Sequence, residues 1–184
     1  MLSTVIWLPI FAGIAVLLTG SDRNAGLARL LALVGAIAGF VVAAPLWTGF
    51  DRAMSGFQFV ERAVWIESFN VHYHLGIDGI SLLLILLNCI TTVLVVIAGW
   101  KVIDTRVAQY MAAFLIQSGL INGAFAALDG ILFYAFFEAM LIPMYLIIGV
   151  WGGPNRVYAA LKFFLYTLLG SLLMLVALIY LYNV

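Results

Sequence analysis

The sequence predicts an all-α polytopic membrane protein with six transmembrane helices and a short β-hairpin loop between helices 2 and 3. Three observations lead to this fold class. Of the 184 residues, 66% are hydrophobic and only 9% are charged, whereas about a quarter of the residues in a soluble domain are charged. The apolar residues also fall into six long runs, and most of the links between these runs are short.

Each apolar run is long enough to cross a membrane as a helix. The runs have 17 to 26 residues, and a helix that rises about 1.5 Å per residue needs about 20 residues for a hydrocarbon layer of about 30 Å. Because most links are short, consecutive helices are expected to be antiparallel neighbours. The predicted transmembrane segments are residues 4–20, 26–47, 79–100, 107–128, 130–151 and 157–182.

The long connection, residues 48–78, is expected to form the hairpin at the membrane surface. Apolar residues alternate with polar ones near both of its ends, as they do in strands with one buried face. His72 and His74 share a face of the second predicted strand, but without further ligands nearby we interpret them as surface-loop residues rather than a metal site. Asp78 directly precedes the third segment, where an aspartate typically caps a helix.

The distribution of lysine and arginine predicts the orientation in the membrane. Basic residues flank the first, third and fifth links, whereas the fourth link has none and the long second connection has basic residues nearly matched by acidic ones. Since cytoplasmic links are enriched in Lys and Arg, we expect the odd links to be cytoplasmic and both chain ends to face outward. The basic residues are Arg23, Arg29, Lys101, Arg106, Arg156 and Lys162.

The composition also excludes several kinds of chemistry. Eight basic and eight acidic side chains give a formal charge of zero, so there is no basic surface for nucleic acid. The single cysteine, Cys89, lies in an apolar run and by itself can neither close an intrachain disulfide nor hold zinc or an iron–sulfur cluster. No phosphate-binding loop or nucleophile–base pair is visible. We therefore expect no redox or soluble-enzyme chemistry on this chain.

Glu138 is the strongest candidate for a functional residue. It lies about eight residues from one end of the fifth segment, which places it close to the bilayer midplane. An ionised carboxylate costs several kcal/mol there unless it is paired, hydrated or neutralised, so an intramembrane acid is a functional hypothesis by default. Burial favours the protonated form, and such a group can exchange a proton. The alternative is a permanently protonated acid that hydrogen-bonds a neighbouring helix.

Two further residues are considered together with Glu138. Pro143 lacks a backbone N–H and frees the carbonyl near Ala139, which predicts a helix kink that either admits water or serves packing alone. Lys162 lies about five residues inside the sixth segment and shares a helix face with Tyr166. It is either a proton carrier or charge partner for Glu138, or a lysine whose ammonium returns to the cytoplasmic boundary.

Polar and small residues in other segments allow two interpretations. Gln117, Ser118 and Asn122 in the fourth segment either hydrogen-bond across helices or hold water. Gly35 and Gly39 in the second segment have a spacing that is compatible with close helix packing.

Several motifs occur together in an order that is typical of one family. They are residues 76–81 (GIDGIS), 136–145 (FFEAMLIPMY), 151–152 (WG) and 162–166 (KFFLY). With the spacing of the apolar runs, this set resembles the subunit M family of the bacterial proton-pumping NADH:quinone oxidoreductase, respiratory complex I. Its antiporter-like members have relatives in Mrp-type sodium/proton antiporters. A single motif of this kind is weak, whereas the whole set in order is specific.

The resemblance implies a partial antiporter-like fold, because full-length members have about 14 helices in inverted repeats and only six are predicted here. It implies that Glu138 belongs to a proton-translocation path and that Lys162 belongs to the polar surroundings of this path. NADH, FMN, iron–sulfur clusters and quinone would bind to other subunits, so no cofactor is expected on this chain. The partners would be other membrane subunits of complex I and the lipid bilayer.

Three functions remain open at this point. The leading hypothesis is a proton-translocating membrane subunit of NADH:quinone oxidoreductase in a bacterial inner membrane, with its N-terminus on the periplasmic side. In this case electron transfer in other subunits drives proton movement. The alternatives are a subunit of an Mrp-type sodium/proton antiporter, and a structural membrane segment that holds neighbouring subunits and moves no ion.

Overall fold

A computed structural model of the chain confirms the helical membrane fold and the hairpin after the second helix. The structure describes residues 1–19, 24–54 and 56–183. Gly20, which ends the first predicted segment, and Arg23, in the first link, lie outside the described residues. The elements are α1 Leu2–Leu18, α2 Ala25–Thr48, β1 Gln58–Ile66, β2 Val71–Ile77, α3 Gly79–Val102, α4 Val107–Ala126, α5 Gly130–Ala139, α6 Leu141–Trp151 and α7 Arg156–Asn183.

Among the described residues, four helical segments are by themselves long and apolar enough to span a membrane. These are Ala25–Thr48, Gly79–Val102, Gly130–Trp151 and Arg156–Tyr182. Helix α1 is apolar but has only 17 residues. Helix α4 has 20 residues but carries the polar side chains of Gln109, Gln117, Ser118 and Asn122. Its position suits this composition, because α4 contacts α1, α2, α3, α5 and α6, and Ser118 and Asn122 are buried against protein.

Glycines on α4 let two other helices approach it closely. A Cβ atom at Gly119 would lie 2.5 Å from the backbone oxygen of Ile6 and from Cγ1 of Ile10 on α1. A Cβ atom at Gly123 would lie 2.6 Å from the ring of Phe136 on α5. Both distances are far shorter than van der Waals contact, so the two helix crossings require glycine at these positions.

The hairpin of β1 and β2 is antiparallel, and its second strand docks on the turn between α4 and α5. Leu75 forms an antiparallel bridge with Ala127, and the backbone N–H of Leu128 donates to the carbonyl oxygen of His74 over 2.8 Å. Because these backbone groups pair with the strand, α4 ends at Ala126, before the predicted end at Leu128.

The fifth predicted segment is divided into two helices. Helix α5 ends at Ala139, α6 begins at Leu141, and Met140 lies between them. Pro143 has no N–H to donate to the carbonyl of Ala139, which interrupts the regular helical hydrogen bonding. The kink expected at Pro143 is therefore present as a break that lies one turn earlier along the chain.

Helix α7 is the least covered helix. Its main contacts are with α6 and α5, and few residues of its apolar span are buried. Leu165, Leu169 and Leu173 are among its exposed side chains. The helix therefore presents a long apolar face that suits contact with lipid or with other membrane helices.

Candidate functional site

Glu138 lies near the end of α5, one residue before the last residue of that helix. Its side chain is partly buried, within the span Gly130–Trp151. The preceding turn is held against α4 by Phe136, whose ring fills the space left by Gly123. The carboxyl group therefore sits inside a membrane span and beside backbone that is not in a regular helix.

Two hydroxyl groups face the Glu138 carboxyl. The hydroxyl of Ser171 on α7 donates to Oε1 of Glu138, and it also lies 2.9 Å from the carbonyl oxygen of Leu168. Ser171 is only 3% exposed. The hydroxyl of Tyr134, one turn earlier on α5, interacts with both Glu138 and Ser171. The Glu138 carboxyl therefore meets hydroxyl groups from two different helices.

Asp129 anchors the helix that carries Glu138. Its Oδ1 accepts hydrogen bonds from the backbone N–H groups of Ile131 over 2.9 Å and Leu132 over 3.2 Å. Its Oδ2 accepts from the backbone N–H of His72 on β2 over 3.0 Å. One carboxylate therefore caps α5 and fixes the start of this helix to the hairpin.

Lys162 forms no ion pair with Glu138 within the described part of the chain. It is exposed on α7, and its Nζ lies 4.7 Å from the centroid of the Tyr158 ring. Tyr158 is nearer the start of α7, so the ammonium is directed back toward the helix end, as in a snorkelling lysine. Glu138 instead meets α7 at Ser171, nine residues beyond Lys162, which corresponds to about 13 Å of helix rise.

A second polar group, the neutral cluster, consists of Asn88, Thr92, Ser118 and Asn122. Nδ2 of Asn88 donates to Oδ1 of Asn122 over 2.8 Å and to the carbonyl oxygen of Ser118 over 2.9 Å. Oγ1 of Thr92 donates to Oγ of Ser118 over 2.8 Å. Nδ2 of Asn122 donates to the carbonyl oxygen of Val5 over 3.3 Å. The neutral cluster therefore ties α3, α4 and α1 together.

The remaining polar candidates have different surroundings. Oε1 of Gln117 is buried and has no hydrogen-bond partner among the described residues. The ring of His72 lies on the hairpin, with Nε2 3.3 Å from Nη2 of Arg62. In residues 1–19, 24–54 and 56–183, no group of three or more His, Cys, Asp or Glu side chains is arranged to hold a metal ion.

Two carboxylates outside the membrane spans have lowered pKa values. Oδ1 of Asp78 accepts from the backbone N–H of Ser81 over 2.7 Å, which confirms the predicted cap of α3, and this bond lowers the pKa of Asp78. Burial alone would raise the pKa of Glu61, but hydrogen bonds from the ammonium group of Met1 and from Ser3 outweigh burial and lower it. The first helix is thereby tied to the hairpin.

Sequence reasoning did not assign Tyr134 and Ser171 to the surroundings of Glu138. Tyr134 could have been found, because residues four positions apart share one face of a helix. Ser171 lies on a different helix, and no spacing along the chain indicates a contact between α5 and α7.

Two families match consecutive parts of the chain. Residues 39–124 match the family described as NADH-ubiquinone oxidoreductase chain 4, amino terminus. Residues 127–184 match the family described as NADH:quinone oxidoreductase/Mrp antiporter, TM. Both matches fall on the helices and the hairpin described above.

The chain is similar to membrane subunits of NADH–quinone oxidoreductases and to a chain of a solved respiratory complex I. NADH-quinone oxidoreductase subunit M of Rhodobacter capsulatus is 50% identical over 99% of this chain and 36% of that protein. NADH-ubiquinone oxidoreductase chain 4 of Arabidopsis thaliana is 42% identical over 97% of this chain and 36% of that protein. A chain of respiratory complex I from Thermus thermophilus with bound NADH matches with a TM-score of 0.82 and 31% identity, over 97% of this chain and 35% of that chain. The chain thus spans little more than a third of the length of these relatives.

Proposed function

The chain belongs to the family of membrane subunits of NADH:quinone oxidoreductases and Mrp antiporters, and on this premise we propose that it forms part of the proton-translocation path of a proton-pumping NADH:quinone oxidoreductase. Glu138 takes up and releases the proton. One observation carries the proposal: the Glu138 carboxyl lies inside a membrane span, beside a helix break, and accepts a hydrogen bond from Ser171 of another helix.

The surroundings of Glu138 support a role in proton exchange. An ionised carboxylate is costly inside a membrane span, so an acid at this depth is a functional hypothesis by default. The hydroxyl of Ser171 donates to this carboxyl from a second helix, so the group has a polar neighbour within the span.

The helix break supports access of a proton to this group. The carbonyl of Ala139 receives no hydrogen bond from Pro143, so it can accept one from a water molecule next to the carboxyl. We assign Lys162 an electrostatic role, in which its charge biases the path from the end of α7. Direct proton transfer between Lys162 and Glu138 would need intermediates, because about 13 Å of helix rise separates Lys162 from Ser171, where Glu138 meets α7.

We place the redox reaction outside this chain. NADH, FMN, iron–sulfur clusters and quinone would bind to other subunits, and electron transfer there would drive proton movement here. The partners of the chain would be neighbouring membrane subunits of the same complex and the lipid bilayer. The basic residues of the odd links favour a cytoplasmic position for these links in a bacterial inner membrane, with the N-terminus on the periplasmic side.

Substitution of Glu138 in the assembled complex tests the proposal. Glu138→Gln keeps the size of the side chain but cannot ionise, so NADH-driven proton translocation in membrane vesicles should fall by about tenfold or more. Glu138→Asp should retain part of the activity. Glu67→Gln changes an exposed hairpin carboxylate and serves as the matched control with full translocation. Unchanged translocation by Glu138→Gln, in a complex shown by native electrophoresis to be intact, would contradict the assignment.

Two measurements distinguish the alternative functions from the proposed one. The matched family also includes Mrp antiporters by its description, and an antiporter subunit would support sodium-dependent proton exchange without NADH or any dehydrogenase subunit. A structural segment that moves no ion would tolerate Glu138→Gln with assembly and turnover both unchanged.

A further inference from the structure

A groove lies on the surface of the helix bundle, beside the broken span that carries Glu138. It has a volume of about 530 Å³ and is bounded by α1, α4 and α6. Its lining extends from Arg106, which directly precedes α4, to Leu120 on α4, and from Trp151 on α6 back to Ala139 at the end of α5. We propose that this groove binds one anionic phospholipid, with the phosphate at Arg106 and an acyl chain along the apolar lining.

The length of the groove matches one leaflet of a bilayer. Ala139 and Trp151 are twelve residues apart, which corresponds to about 18 Å of helix rise. The hydrocarbon core is about 30 Å thick, so that one leaflet contributes about 15 Å. A groove of this length fits one acyl chain, which extends from the headgroup to about the midplane.

The lining is apolar and accessible along most of this length. Ile142 and Leu146 line the groove and are 62% and 47% exposed. The polar lining residues Arg106 and Gln109 both lie at the end of the groove near Trp151. Tryptophan is typical of the boundary between hydrocarbon and headgroups. The polar end of the groove is therefore suited to a headgroup and the apolar part to a lipid tail.

The charges at this end suit an anionic headgroup. Lys101 lies in the last turn of α3, Asp104 and Arg106 lie in the link to α4, and α7 begins at Arg156. Nη1 of Arg156 donates over 2.8 Å to the carbonyl oxygen of Val150, which itself lines the groove. Three cations are therefore accompanied by one carboxylate. A guanidinium group can bind two phosphate oxygens at once, and basic residues near the headgroups strengthen binding to anionic lipid.

Lipid retention by the full chain tests the phosphate site. The chain is reconstituted in nanodiscs of dioleoylphosphatidylcholine with a minor fraction of dioleoylphosphatidylglycerol, and native mass spectrometry counts the phosphatidylglycerol that remains bound. We expect one retained molecule for the unmodified chain. Arg106→Gln should weaken retention about fivefold, the equivalent of about 1 kcal/mol for one basic residue at a membrane surface. Arg62→Gln on the hairpin, outside the groove, is the control and should retain the lipid.

A second pair of variants tests the acyl-chain site without changing Arg106. Leu146→Trp fills the groove and should release the lipid, whereas Leu165→Trp on the exposed face of α7 should not.

Equal retention by Arg106→Gln and the unmodified chain would overturn the proposal, and so would displacement of the lipid by inorganic phosphate alone. In the assembled complex, a photoreactive phosphatidylglycerol should label α4 or α6. Occupation of the groove by a protein neighbour or a second copy of the chain, seen as crosslinking of that protein to position 146, would also overturn it. None of these outcomes depends on proton translocation by Glu138.

Discussion

The neutral cluster and Glu138 are both polar sites inside the helix bundle, but their surroundings differ. Asn122 is 0% exposed, and its side chain bonds to α3 and α1 from its position on α4. Glu138 is partly buried at a helix break and accepts from Ser171 on a helix that is itself poorly covered. A buried, well-bonded neutral cluster fixes helix positions, whereas an ionisable group inside a span is the proposed proton carrier.

The helices around the two sites differ in the same way. Helix α4 is surrounded by five other helices, including both halves of the broken span, whereas α7 contacts chiefly α6 and α5. A shift of α7 relative to α5 would therefore break few contacts while changing the distance from Ser171 to Glu138. This arrangement combines a rigid frame with a loosely held helix that carries a donor to the candidate proton carrier.

Substitution of a single glycine in each region gives the largest expected contrast. Gly119→Ala places a methyl group 2.5 Å from a backbone oxygen of α1, and the free energy of unfolding should fall by about 2–3 kcal/mol. Gly170→Ala on α7 meets no atom within 4 Å and should be neutral or stabilising by up to about 1 kcal/mol. Reversible unfolding in mixed micelles, followed by circular dichroism, measures both. Equal effects would show that the two regions are packed alike.

A matched pair of serine variants separates stability from function. Ser118→Ala removes a hydroxyl that accepts from Thr92 in the neutral cluster, so the free energy of unfolding should fall by about 1–2 kcal/mol with translocation intact. Ser171→Ala removes the donor to Glu138, so NADH-driven translocation should fall several-fold. The free energy of unfolding should change by less than about 1 kcal/mol. Ser171→Thr keeps the hydroxyl and should restore translocation. The reverse pattern would mean that Ser171 only supports packing.

The helices and the hairpin could be predicted because their signals are local in the sequence. Apolar runs, turn residues and alternation within a strand depend on neighbouring residues only. The close packing expected of Gly35 and Gly39 is confirmed, since a Cβ at these positions would lie 2.7 Å from Ala12 and 3.4 Å from Pro9 on α1. The functional roles of Glu138 and Lys162 stay predictions.

The features that could not be predicted depend on contacts between distant parts of the chain. Helix α4 ends early because Leu128 pairs with a strand more than 50 residues earlier, at His74. The contact of Glu138 with Ser171 depends on how α7 packs beside α5. Neither residue type nor spacing along one helix contains this information, because tertiary packing decides it.

Asp129 joins α5 to the hairpin, and its removal should have an intermediate effect. Asp129→Ala removes the cap of α5 and the bond to the backbone of His72, which should lower the free energy of unfolding by about 1 kcal/mol. Hydrogen exchange at the His72 amide should become faster, because this amide loses its acceptor. Asp51→Ala, which removes an acceptor of the Ala53 amide in the long connection, is the control and should leave exchange at His72 unchanged. Unaltered exchange in Asp129→Ala would mean that the bond from His72 to Asp129 does not hold the hairpin to α5.

The smallest expected effect is at Asp78, which caps α3 at the end of the hairpin. Its pKa is lowered in the folded chain by the hydrogen bond from the Ser81 backbone, so the folded state binds this proton less readily than the unfolded state. The stabilisation is therefore fully present above the ordinary pKa of an aspartate, about 4, and is lost as the pH falls through the lower pKa of the folded chain. Asp78→Ala should reduce the free energy of unfolding by about 0.5–1 kcal/mol at neutral pH and by less in acid.

Asp104→Ala, an exposed control in the link before α4, should lack this pH dependence. A loss at Asp78 that is independent of pH would show that the cap acts through the shape of the side chain rather than through its charge.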